Sequence, residues 1–147
     1  MDTYGEFMDA NGKLTSRGEA VLMHGLDVLS EAAWRNSEAH GFHDSGRSYL
    51  EELFLVHSEI SEAGESWRKD EPELWFRDES GNKLVGDGAE WGADEVPNKA
   101  EGMSAEAADA FIRLADINRS HGWSLGWALV AKMRYNVTRP FMHGKKA

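Results

Sequence analysis

Leu53-Phe54-Leu55-Val56-His57-Ser58-Glu59-Ile60-Ser61-Glu62-Ala63-Gly64-Glu65-Ser66-Trp67-Arg68 is the stretch that decides the fold class, because its apolar residues recur at helical spacing. Leu53, Val56, Ile60, Ala63 and Trp67 form a heptad-like stripe, as on a helix that turns one face to a core. With that stripe inward, Glu59 and Glu62 each lie about 100° from an inward neighbour, on a shoulder that can line a cleft.

Working outward, the same periodicity recurs on both sides. Ser16 with Glu19 fits a capping box, and Val21, Leu22, Leu26, Leu29 and Ala33 continue a first helix toward Gly41. Ser104 is the expected N-cap of a third helix carrying Ala108, Phe111, Ile112 and Ala115 inward, with Gly122 as its end. Ser124 opens a fourth helix through Leu125, Ala128, Leu129 and Met133 that stops before Pro140. Between the second and third helices, residues 70–101 are rich in Gly, Asp and Glu; Leu74 to Arg77 and Lys83 to Val85 flank Ser80-Gly81-Asn82 as a short hairpin would. Residues 1–15 carry Asp9-Ala10-Asn11-Gly12, a tight-turn signature, and are expected to be an appendage. The expected fold is all-α: four main helices over residues 16–147, with a long loop or short hairpin inserted at about 70–101.

The chain has 147 residues, of which 41% are hydrophobic and 29% charged, enough for one domain with a real core. A formal net charge of −10 with no basic stripe excludes binding to duplex nucleic acid or an anionic membrane through the overall field. An anionic ligand would need metal ions to invert the local sign. The absence of cysteine removes disulfides, thiolate catalysis and Cys-type zinc sites. No signal pattern and no apolar run of membrane-spanning length is present, so a cytoplasmic location is expected.

Glu106 and Asp109 repeat the i, i+3 carboxylate spacing of Glu59 and Glu62, and four carboxylates on two packed helices form an oxygen-only donor set suited to magnesium or manganese. In a chain with 26 acidic residues such pairs arise readily as solvated faces, so spacing alone carries little weight. Lys132 and Asn136 add a cation and an amide one helical turn apart, with Arg139 just beyond; the plainer role of that last turn is to complement the helix dipole. His40, His43 and His57 lack the spacing of a histidine metal site, and Arg113 is expected to pair along its own helix with Asp109 or Asp116.

Five segments then resemble one family in order: Ala39-His40-Gly41-Phe42-His43-Asp44, Leu55 to Ala63, Asn98-Lys99-Ala100-Glu101-Gly102, Ala105 to Asp116, and Lys132 to Lys146. Together they resemble the MazG-like nucleotide pyrophosphohydrolases of the all-α NTP pyrophosphatase superfamily. The resemblance implies metal binding by Glu59, Glu62, Glu106 and Asp109, with Glu59 or Glu62 as general base. It implies phosphate contacts from Lys132 and Asn136, and further contacts from Lys99 and Arg139. The implied reaction is magnesium-dependent hydrolysis of a nucleoside triphosphate to the monophosphate and pyrophosphate, by a homodimer or homotetramer, in nucleotide-pool house-cleaning. The alternative is a non-catalytic nucleotide- or partner-binding helical module of the same fold.

Overall fold

A computed structural model describes residues 3–140. The protein is mostly helical: α1 is Ser16–Ala39, α2 Tyr49–Arg68, α3 Met103–Ser120 and α4 Leu125–Asn136. Between α2 and α3 lie three short strands, β1 Trp75–Arg77, β2 Lys83–Leu84 and β3 Lys99–Glu101, in an antiparallel sheet of order β2-β1-β3.

Local chemistry sets the helix ends. Thr15 rather than Ser16 caps α1, its hydroxyl accepting the Gly18 N–H at 3.1 Å. A capping box absent from the expectations opens α2, where the Ser48 N–H donates to Glu51 Oε2 at 2.7 Å and the Ser48 hydroxyl accepts the Glu51 N–H. α3 ends in a Schellman motif: Gly122 sits at φ +71° while the Trp123 N–H reaches back to the Asn118 carbonyl at 2.8 Å. Ser124 caps α4 as expected, accepting the Trp127 N–H.

The chain divides into two compact units, one running to Asp44 and resuming at Ala115, the other Ser45–Leu114. In the first, α1 packs on α4. Gly126 permits the approach, since a Cβ there would lie 3.1 Å from the Met23 carbonyl oxygen. Arg134 adds a two-pronged ion pair to Glu19, with Nε and Nη2 at 2.7 and 2.6 Å. Leu26, Ala33, Ala115, Ile117 and Val130 are buried in this unit. The N-terminal segment closes as a small hairpin, Met8 bridging Leu14, and the Thr15 hydroxyl donates to the Glu6 carbonyl at 2.7 Å.

In the second unit the expected hairpin is present as β1 and β2, with Phe76 opposite Leu84. The third strand was not expected: β3 pairs with the other edge of β1, Trp75 opposite Glu101. Trp75 is buried, with Arg77 and Lys83 both over its ring at 4.7 and 4.8 Å. From β3 the chain turns into α3 through Gly102, at φ +101°, where a Cβ would lie 2.7 Å from the Pro72 carbonyl oxygen and 2.8 Å from that of Glu73. The Gly102 carbonyl accepts the Glu106 N–H at 3.1 Å, so α3 starts ahead of Ser104. Ser104 is therefore not the cap; its N–H and hydroxyl both donate to Glu73, which pins the first turn of α3 to the chain entering β1.

The phase of α2 also differs from expectation. Val56, Glu59 and Ser66 are buried and Ala63 half-buried, whereas Ile60 is 56% and Trp67 73% exposed. The inward stripe is thus Val56, Glu59, Ala63, Ser66, rotated so that Glu59 points inward instead of lying on a shoulder. Tyr49, Leu50 and Phe54 join Ile60 and Trp67 among the exposed residues of α2.

Candidate metal centre

The rotation of α2 brings Glu59 toward the first turns of α3. Glu59, Glu106 and Asp109 each offer one oxygen, and the three oxygens lie within 4.8 Å of one another. Glu59 is buried, Glu106 half-buried and Asp109 exposed, so the group is open to solvent on the Asp109 side. Glu62, the fourth expected ligand, is exposed and outside this triad; its Oε1 accepts from the Ser58 hydroxyl at 3.2 Å. It still acts on the group. Burial, followed by the charges of Glu62, Asp109, Glu59 and Glu101, pushes the Glu106 carboxyl above its ordinary range.

Two cations pair with carboxylates in ways that local spacing does not reveal. Arg113 pairs with neither Asp109 nor Asp116: its Nε–H donates to Glu59 Oε1 at 2.6 Å, across from α3 to α2. A helical phase argument could have found this, because Arg113 follows Glu106 by seven residues and so shares its face. Lys99, expected to contact phosphate, is exposed on β3 with Nζ 3.0 Å from Glu101 Oε1, which Arg77 Nε also contacts at 3.0 Å. Burial raises the Glu101 carboxyl, but the bonds from Lys99 and Arg77 outweigh it and hold the group below its usual range.

The remaining expected residues belong to the first unit. Lys132 and Asn136 are exposed on α4, one turn apart. Arg139 follows the helix, its guanidinium over the Tyr135 ring at 5.5 Å. The end of the last matched segment, residues 141–146, lies outside the described residues. Of the histidines, His43 turns to Asp116, Nε2 to Oδ1 at 3.1 Å, rather than joining a metal set. A concavity of about 630 Å³ in this unit is lined by His24, Asp27, Glu31, Arg35, Arg119 and Trp123; both arginines bond to Glu31.

The donor set fits a hard divalent cation. Three carboxylates and no nitrogen or sulfur donor favour magnesium or manganese over zinc, and like charges this close need a counter-ion. No family model matches the chain, and neither does any curated protein or solved structure.

Proposed function

We propose that this protein is a magnesium-dependent nucleoside triphosphate pyrophosphohydrolase built on a MazG-like four-helix domain, cleaving its substrate to a monophosphate and pyrophosphate. The observation that carries the proposal is the convergence of Glu59, Glu106 and Asp109 from two separate segments onto one point. A solvated acidic face on a single helix would not produce it. The ordered resemblance of five segments supports the same conclusion.

In this reading Glu59, Glu106 and Asp109 hold the cation, with manganese an acceptable substitute. The bound ion supplies neutralisation of triphosphate charge and a lowered pKa for a water it binds. Glu62 is the better proton acceptor of the two candidate bases, because Glu59 is buried and engaged by Arg113 whereas Glu62 is exposed beside Glu106. The resemblance alone assigns phosphate contacts to Lys132 and Asn136, both exposed on α4, and further phosphate contacts to Arg139 and Lys99. The apolar side chains exposed on α2 support assembly into a homodimer or homotetramer. Among the described residues no helix is long and apolar enough to cross a membrane.

The test is incubation with each ribo- and deoxyribonucleoside triphosphate plus magnesium, followed by separation of products. Monophosphate with pyrophosphate is expected, and Glu62→Gln should abolish turnover while leaving the circular dichroism spectrum unchanged. Diphosphate with orthophosphate would place the cleavage elsewhere. No turnover of any nucleotide would point to the non-catalytic binding module.

A further inference from the structure

Arg113 and Glu59 are unequal partners. The Glu59 side chain retains 10% of its accessible surface and the Arg113 side chain 43%. A buried carboxylate with two other carboxylate oxygens within 4.8 Å requires a positive charge, and Arg113 Nε at 2.6 Å supplies it. The guanidinium, in contrast, is on a long side chain already half in water, so it can leave without stranding a charge. A guanidinium and a divalent cation drawn to the same carboxylate repel one another.

We propose that Arg113 is a built-in competitor for the metal: it neutralises Glu59 in the metal-free protein and yields that oxygen to a divalent cation, thereby setting the cation concentration at which the centre fills. The inference rests on the metal-binding role proposed above for Glu59, Glu106 and Asp109. It adds that Glu59 has two charge-compensated states, one paired with the chain's own cation and one with an external ion. Arg113 is in this sense a positioning residue, acting on Glu59 and not on substrate.

The test uses the full chain and two readouts that need no turnover. Titration of manganese alone, followed by calorimetry, should show Arg113→Gln binding tighter than wild type by about three- to tenfold, the effect of no longer breaking one partly exposed charge-assisted hydrogen bond. Arg113→Lys, which keeps the charge without the planar fork, should fall between them. In the unmodified protein, the Arg113 Nε–H resonance should be protected from solvent exchange without metal and lose that protection at saturating magnesium. This second arm stands even if the variants fail to fold. Manganese binding by wild type with equal or weaker binding by Arg113→Gln would overturn the inference and leave the metal centre standing, as would an Nε–H signal that stays protected at saturation. Absence of manganese and magnesium binding to wild type would overturn the metal centre itself, and this inference with it.

Discussion

Replacing Glu106 with glutamine should stabilise the protein when no metal is present and abolish its response to metal, two effects of opposite sign from one substitution. The magnitude follows from the geometry. Two unit charges about 5 Å apart repel by about 3 kcal/mol at an effective dielectric of about 20, and Glu106 has oxygens of both Glu59 and Asp109 within 4.8 Å. Arg113 offsets part of the Glu59 charge and solvent screens the exposed Asp109, which leaves a net gain of about 1 kcal/mol for Glu106→Gln. In a chain of this size that raises the melting temperature by about 2–4 °C. The sign with pH is also fixed. The Glu106 carboxyl is raised in the folded protein, so the folded state holds this proton more tightly than the unfolded chain. Its contribution favours folding below the ordinary glutamate value and is lost as pH rises through the raised value. The advantage of Glu106→Gln should therefore vanish at acid pH and be complete above that range. With metal at about a hundred times its dissociation constant, wild type should gain about 2.7 kcal/mol and the variant almost nothing. Thermal melts in chelator and in manganese, across a pH series, measure all of this. A lower melting temperature for Glu106→Gln in chelator would refute the reasoning, because Glu106 would then be held by favourable contacts and not strained by its neighbours.

Other substitutions probe the scaffold. Gly126→Val should cost about 1–3 kcal/mol in urea unfolding, since its side chain would crowd Met23 where α1 meets α4; a neutral result would mean the helices are not so close. Glu19 is held below the ordinary carboxylate range by its bond from Arg134, and Glu31 by bonds from Arg119 and then Arg35. Their stabilisation is present above the unfolded value and lost as pH falls through the lowered folded values. Arg134→Ala should accordingly flatten the acid limb of the stability profile; an unchanged limb would remove Glu19 from the explanation. Ile60→Lys combined with Trp67→Lys should convert an oligomer to monomer by light scattering, and a wild-type protein already monomeric would remove the α2 face as an assembly surface.

Helix positions were legible because their signals are local: Ser124 and Gly122 do at short range what their residue types do in isolation. What escaped depended on distant partners. β3 is three residues long with no alternating pattern, and it is a strand because Trp75–Arg77 lies beside it. The apolar stripe of α2 points to a different phase because Ile60 and Trp67 are large and apolar, whereas the inward positions it misses hold a carboxylate, Glu59, and a serine, Ser66. In the candidate centre, spacing identifies the acidic residues but not their division into three whose oxygens converge and one, Glu62, that stands beside Glu106 and acts on it through its charge. Arg113 offered two near neighbours of the right charge along its helix, and its partner lies 54 residues away.

Gly102 has a consequence for how this protein would respond to saturation mutagenesis. It contributes no side chain to the carboxylates, yet the first turn of α3 begins from its carbonyl, and no L-residue fits its φ of +101° against two carbonyl oxygens. On the proposed function, a screen scored by metal-dependent activity would thus rank position 102 with the proposed ligands Glu106 and Asp109. Dose would separate the two kinds of position. Loss of a ligand removes an interaction that added cation cannot replace, whereas displacement of the helix start weakens the grip on an intact donor set, a defect that a sufficient excess of cation partly repairs.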